Sequence, residues 1–346
     1  MRLLEEAARL GATDLHLTEG AEAKVRHLGK MTSLGLCSIE EYQQIEKIIM
    51  SNMSIVMNEK EKVKDFSVSL PDVGRLRVRR YYACGQRCMA IRFLPTRVPL
   101  PSELGWPSAI YKLSNLTQGL VLVTGPTGSG KTTTLAALLE NININRACHI
   151  VTLESPIEYI FESAQALVHQ CEIPNDIDSF ADGSTAVLRL DPDVIMVGEL
   201  ADRETMRAVL KLAESGHLVF ATMHTASAVD AVEYFVNHFD AQEQQVIRYQ
   251  LANVLQAVVA QRLLVNSHGD GYMAAYEILL RNTAMVQQIK SNDLVQLSHT
   301  IEAGRLEGMM ILEERLARMV KNGNVTIDEA LRHANNSDDI RKYLTR

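Results

Sequence analysis

Residues 125 to 132 read Gly-Pro-Thr-Gly-Ser-Gly-Lys-Thr, the full G-x-x-x-x-G-K-[ST] spacing of a phosphate loop. Gly125, Gly128 and Gly130 let the backbone turn until its amides point at phosphate oxygens, with Pro126, Thr127 and Ser129 between them. Lys131 reaches the β and γ phosphates, and Thr132 offers its hydroxyl to Mg²⁺. An apolar run over 119–123 leads in, and a helix-forming run that includes Thr133 leads out over 132–139. Strand, glycine-rich turn and helix are the context the motif requires, so the chain binds a nucleoside triphosphate, with ATP and Mg²⁺ as the expected pair.

Downstream of the loop, short Val/Ile/Leu-rich runs at 120–124, 149–153, 194–197 and 218–222 alternate with helical segments. That alternation predicts a mostly parallel sheet with helices on both faces. Ligands of such sheets sit beyond the carboxyl ends of the strands. Besides the loop, the residues delivered there are Glu154, Gly198-Glu199 and His224. Hydrolysis of a γ-phosphate needs those groups: a cradle, a carboxylate that orients water, a carboxylate near Mg²⁺, and a polar side chain that senses the γ-phosphate.

Glu154 is placed to accept a proton from water or to position it, with Glu158 as a solvated neighbour. The run Val194-Ile-Met-Val-Gly-Glu199 has Gly198 where such strands usually end in Asp. Holding Mg²⁺, through water, then falls to Glu199. A lone histidine on a core element is usually structural, but His224 lies past a strand's carboxyl end and His217 at the opposite edge.

The elements that position these groups fall into two parts. At 346 residues the chain has room for two domains. The first hundred residues read as a small α/β domain, with helices at 1–10 and 39–50, the second capped by Ser38, and strands at 14–17, 25–28, 65–70, 74–82 and 86–94. A proline-rich stretch at 95–107 reads as a linker. The expected domains are 1–96, a linker at 97–107, a nucleotide-binding core at 108–273, and a segment helical to the end at 274–346.

Charge and composition narrow the partners. A net charge of −7 argues against a protein that coats nucleic acid. Yet from Arg75 to Arg97 there are seven arginines and no Asp, Glu or Lys. Arg75, Arg77 and Arg79 would share one face of a strand, as a solvated surface would. A single-strand nucleic-acid platform would need more interleaved aromatics than Tyr81, Tyr82 and Phe93. Arginine fingers completing a neighbouring subunit's site would explain the absence of lysine. The N-terminus lacks the pattern of a signal peptide, no run reaches a membrane span, and the five cysteines form no C-x-x-C pair. A cytoplasmic protein with reduced thiols and no direct membrane insertion is expected.

Four blocks together resemble the secretion ATPase superfamily that powers type II secretion and type IV pili, most closely its pilus-retraction, PilT-type branch. They are the phosphate loop ending in Lys131, Thr152 to Glu158, Leu188 to Glu199 with Asp191-Pro-Asp-Val, and Gly216 to Thr225. Ala12 to Leu17, Gly74 to Val78 and Ile91 to Pro95 resemble the start and the arginine-bearing strands of that family's PAS-like domain.

The resemblance implies a PAS-like α/β N-terminal domain followed by a RecA-like P-loop ATPase domain with a helical C-terminal region, assembled into a homohexamer. It makes Glu154 the catalytic base, Glu199 the Walker B carboxylate, His224 the His-box residue, and Arg77 and Arg92 the fingers supplied in trans. It also implies a motor at the cytoplasmic face of the inner membrane, acting on a platform protein and sharing the base with a paralogous assembly ATPase in some systems. The absence of a four-cysteine zinc motif and of an additional N-terminal domain favours retraction.

Departures occur at Ser155, Leu190 and Ala201, and Ala284-Met-Val-Gln-Gln-Ile289 stands for the retraction signature Ala-Ile-Arg-Asn-Leu-Ile. Alternatives are a motor for type IVb secretion, conjugation or pilus assembly, and a low-activity nucleotide-binding regulator.

Overall fold

The computed structural model describes residues 1–52, 64–95 and 97–345. Two compact units result, Met1–Arg97 and Val98–Arg346. Thr96 and Arg346, which close the first and last domains expected from sequence, lie outside the described residues.

The first unit contains α1 (Arg2–Arg9), β1 (Asp14–Thr18), β2 (Glu22–His27), β3 (Lys30–Leu36), α2 (Ile39–Ser51), β4 (Lys64–Leu70), β5 (Gly74–Ala83) and β6 (Gln86–Phe93). The strands form an antiparallel sheet in the order β3-β2-β1-β6-β5-β4, the PAS-like arrangement. α1 and α2 cover one face, burying Leu3, Leu4, Tyr42, Ile45 and Ile49 against Leu15, Leu17, Leu76, Val78 and Ile91. The Ser38 hydroxyl accepts from Glu41 N–H at 3.1 Å and starts α2. Because strand side chains alternate, burying Leu76 and Val78 turns Arg75, Arg77 and Arg79 to the other face.

The second unit opens with a 3₁₀ turn at Pro101–Leu104 and continues through α3 (Ser108–Leu113), β7 (Gly119–Thr124), α4 (Lys131–Asn145), β8 (His149–Glu154), β9 (Leu167–Glu172), α5 (Phe180–Ala186), β10 (Val194–Val197), α6 (Arg203–Glu214), β11 (Leu218–Met223), α7 (Ala228–Asn237), α8 (Gln244–Val254), β12 (Leu255–Val265) and β13 (Tyr272–Leu280). Helices α9 (Thr283–Ser291), α10 (Val295–Ala303), α11 (Leu312–Lys321), α12 (Ile327–His333) and α13 (Ser337–Thr345) follow. The sheet runs β13-β12-β7-β11-β10-β8-β9, parallel except for β13. β7, β10 and β11 are buried along their whole length, with apolar clusters on both faces of the sheet. This is a RecA-like α/β core.

Two expectations are corrected. The chain from Ala274 is not helical at once: β13 pairs antiparallel with β12 from Tyr272 to Leu280, and the tertiary ladder overrides the helix propensity of an Ala-, Glu- and Leu-containing run. Nor is the proline-rich stretch a free linker from Val98 onward. Trp106 is buried with Ile110 and Val121, so the segment packs onto the second sheet. Among the described residues no helix is long and apolar enough to cross a membrane.

Candidate functional site

β7 ends at Thr124 and α4 begins at Lys131, so the predicted loop bridges a buried strand and a helix. Gly125, Gly128 and Gly130 hold φ of 146°, 79° and 86°. A Cβ at Gly125 would collide with the Gln261 carbonyl oxygen, and one at Gly130 would stand 2.9 Å from Gln261 Nε2. Gln261 of β12 is therefore the floor of the loop, and its Oε1 accepts the Thr134 hydroxyl at 2.7 Å. Gly130, the N-cap of α4, provides no side-chain cap, and the buried Ser129 hydroxyl has no protein partner. Uncapped helix amides above a glycine-lined turn suit an anion, so the residues present fit a nucleotide phosphate chain.

Lys131 is 8% exposed, and its Nζ donates to the carbonyls of Gly125 at 2.8 Å and Pro126 at 3.1 Å. It also lies 3.3 Å from His224 Nδ1. Burial pushes the lysine pKa down, against the opposing pull of Glu199 and Glu158. An ammonium group only donates, so His224 Nδ1 accepts and the ring proton sits on Nε2. That nitrogen faces Glu199 Oε1 at 3.3 Å. Lys131, His224 and Glu199 thus form one line of contacts across the ends of β7, β11 and β10.

The hydroxyl of Thr124 locks two of these strand ends together. It accepts from Thr225 N–H at 2.9 Å and lies 3.0 Å from the Thr225 carbonyl oxygen. Gly198 N–H donates to Leu153 O at 2.8 Å, and the Thr222 hydroxyl donates to Gly198 O. A Cβ at position 198 would stand 3.1 Å from Leu153 O, which gives the glycine at this strand end a packing reason.

Glu154 is 4% exposed, and its Oε1 accepts from the Thr152 hydroxyl at 2.7 Å and from Gln170 Nε2 at 3.0 Å. Burial raises its pKa above the ordinary carboxylate range, while those two hydrogen bonds pull it down. Gln170 Nε2 also donates to Tyr159 O at 2.8 Å, and Tyr159 OH is 3.0 Å from Thr133 Oγ1. A chain of contacts therefore runs from the first turn of α4 to Glu154. The charge of Glu158 acts on both Glu154 and Lys131.

Two carboxylates in unlike surroundings, one buried and one half exposed beside a histidine, are suited to different tasks. Among the described residues no three His, Cys, Asp or Glu side chains gather as a metal cage. The oxygen donors Thr132 and Glu199 fit Mg²⁺, which keeps few protein ligands and takes the rest from phosphate and water.

Sequence reasoning missed Gln261, Gln170, Tyr159 and Thr225. Gln261 and Gln170 lie on strands that were not recognised, so nothing placed them at the site. His217 sits at the other end of β11, where Nδ1 contacts Leu212 O at 3.2 Å and Ser215 Oγ at 2.9 Å.

The seven arginines divide. Arg80 pairs with Glu46, and Arg87 with Glu19 and Glu46, on the helix-covered side of the first unit. On the other face Arg92 lies directly opposite both Asp14 and Arg77, and its Nε donates to Asp14 Oδ1 at 2.8 Å. The cross-strand neighbours of Arg77 are Arg92 and Ser67.

A glycine-turned phosphate loop at the end of a parallel strand, with carboxylates and a histidine on the neighbouring strand ends, defines a P-loop nucleoside triphosphatase. The family described as Type II/IV secretion system protein matches residues 1–344, so the chain belongs to that family and is an ATPase. It is 37% identical over 335 residues to the type IV pilus retractation ATPase PilT of Pseudomonas aeruginosa, covering 95% of this chain and 96% of that one. It is also 37% identical over 318 residues to a twitching motility protein of Neisseria gonorrhoeae, covering 91% of this chain and 85% of that one. The crystal structure of the pilus retraction motor PilT with bound ADP superposes with a TM-score of 0.86 at 36% identity, covering 99% of this chain and 98% of that one.

Proposed function

We propose that this chain hydrolyses ATP with Mg²⁺ to drive retraction of a type IV pilus. Its near full-length similarity to retraction motors supports the process. The observation that carries the hydrolytic reading is Glu154: a buried carboxylate with a raised pKa, at a strand end linked through Gln170 and Tyr159 to the helix that follows the phosphate loop, is a stronger proton acceptor than a solvated one. In this reading Gly125, Pro126, Thr127, Gly128, Ser129, Gly130, Thr132 and Thr133 cradle the phosphates, and Lys131 exchanges its loop carbonyls for β and γ oxygens. Glu154 orients the attacking water and takes its proton. His224, already between Lys131 and Glu199, registers the presence of the γ-phosphate. Thr132 and Glu199 would hold Mg²⁺, which would neutralise phosphate charge there.

Arg77 and Arg92 are the fingers for a neighbouring subunit's nucleotide in a homohexameric ring, and an inner-membrane platform protein receives the motion. Two guanidinium groups directly opposite each other with one carboxylate beside them leave a surplus of positive charge suited to a triphosphate. Mixing separately inactive Lys131→Ala and Arg77→Ala subunits tests this: a ring in trans rebuilds some intact sites and regains phosphate release. Mixtures as inactive as their parts would overturn the shared site. Deletion in the native organism tests the process, since loss of a retraction motor leaves excess pili that do not retract. Bald cells would reverse the direction assigned.

A further inference from the structure

His224 is followed by a short turn into α7, and that turn is held from beneath. Ala228 N–H, the first amide of α7, donates to Glu277 Oε1 of β13 at 2.7 Å. The Ala226 carbonyl accepts from Arg262 Nη2 of β12 at 2.7 Å. Arg262 and Glu277 are each 7% exposed, and neither belongs to the nucleotide machinery assigned above.

The same guanidinium makes two further contacts. Nη1 donates at 3.2 Å to Gln261 O, the oxygen against which a Gly125 side chain would collide. Nη2 also donates at 2.9 Å to Asn335 Oδ1, in the turn between α12 and α13. Asn335 and Asn336 are fixed in turn through their N–H groups, which share Glu313 Oε1 of α11 at 3.0 and 3.1 Å. One planar side chain therefore touches the turn after His224, the floor of the phosphate loop and the C-terminal helices.

The three oxygens that accept from it are neutral, so these hydrogen bonds fix geometry, while Glu277, Glu313 and Asp230 act on the guanidinium only through their charge. A rigid fork with donors in fixed directions can span three such acceptors, whereas an ammonium group on a flexible stem cannot hold them in register.

We infer that Arg262 is a positioning residue, a strut through which the C-terminal helices and the His224 turn set one another's position. The inference rests on the reading of His224 as the γ-phosphate sensor. Movement of α12 and α13 would then change the alignment of His224, and nucleotide state would be felt at Asn335.

The test uses the full chain with Asn335→Ala, which cuts only the outer link at an exposed residue, and Arg262→Lys, which keeps the charge and loses the fork. Both should lower kcat by about three- to tenfold, the loss of one to two hydrogen bonds' worth of alignment, with the Kd for a fluorescent ADP within about twofold of the parent. Asn335→Asp, which retains the acceptor, should restore turnover. Hydrogen exchange over 335–345 should differ between ADP and a non-hydrolysable ATP analogue in the parent, and lose that difference in Asn335→Ala.

Unchanged kcat with an unchanged exchange difference overturns the strut. So does a loss of ADP affinity in step with kcat, which would mark local collapse of the cradle. His224→Ala run alongside separates the two readings: full turnover there sinks the sensor role itself, whatever the Arg262 and Asn335 variants do.

Discussion

In the phosphate cradle the cation is buried and already engaged, with Lys131 bonded to two carbonyls of its own loop and in line with His224 and Glu199. On the outer face of the N-terminal sheet the arrangement is reversed. Arg77 and Arg92 stand opposite each other on adjacent strands, and the cross-strand carboxylate, Asp14, reaches Arg92. Like charges directly opposite in a sheet destabilise it, so the Arg77–Arg92 pairing is a cost to the first unit that the Asp14 carboxylate offsets at Arg92. The cradle's lysine is engaged within its own chain, whereas Arg77 has Arg92 and Ser67 as its cross-strand neighbours. Stability and activity should therefore part company in one region and move together in the other.

Arg77→Ala separates them most sharply. Turnover should fall by about a thousandfold, as for other arginines supplied in trans. The melting temperature of the isolated chain should hold or rise slightly, because a like-charge pair is relieved. A clear drop in melting temperature would return Arg77 to the structural residues.

Glu154→Gln should lower kcat by roughly a hundredfold or more while leaving ADP affinity nearly unchanged. In the parent chain the ionised form is the active one. The rate should thus fall as pH drops through the raised Glu154 pKa, at a higher pH than an ordinary carboxylate would give. A parent-like acid limb in Glu154→Gln would remove Glu154 from the chemistry.

Gly125→Ala should affect both quantities, because its φ of 146° and the Gln261 carbonyl leave no place for a methyl group. ADP binding weakened by roughly tenfold, together with a lower melting temperature, is the expected result.

Glu277, buried behind the cradle, has its pKa pushed from the ordinary 4.5 up to about 7 by burial. Between those values the folded chain keeps a proton that the unfolded chain has released, so stability falls as pH rises, with a slope of up to about 1.4 kcal/mol per pH unit. Glu277→Gln should flatten that slope in denaturant titrations across the window. The smallest effect should come from Asp14→Asn, which loosens Arg92 and changes kcat and stability by no more than about threefold and about 1 kcal/mol. A larger loss would mean that Asp14, and not a nucleotide, is the intended partner of Arg92.

The parts of the site carried by continuous apolar strands and by glycine spacing were legible in the sequence, because a strand buried on both faces leaves no alternation to confuse with helix. That is why β7, β8, β10 and β11 and the residues at their ends could be placed. β9 reads Leu-Val-His-Gln-Cys-Glu at a sheet edge, and its polar residues hid it; with it went Gln170, the partner of Glu154. β12 interrupts its apolar run with Gln261-Arg262, and β13 is rich in residues that suit helices as well as strands. β12 is decided by pairing with β7 across more than a hundred residues of chain, and β13 by pairing with β12 in turn, which no local pattern encodes. The arginine cluster was visible as composition, but its division into Arg80 and Arg87 on one face and Arg77 and Arg92 on the other needed the register.

The bond network at Thr124 bears on where mechanical work can arise. One hydroxyl, contacting both the amide and the carbonyl of Thr225, makes the phosphate-loop strand and the histidine strand a single fixed jaw. A clamp needs one jaw that does not yield, or closing on the load only deforms the tool. In the motor proposed above, that jaw would carry Lys131 and the strand end before His224, while the turn after His224 is left to follow the C-terminal helices.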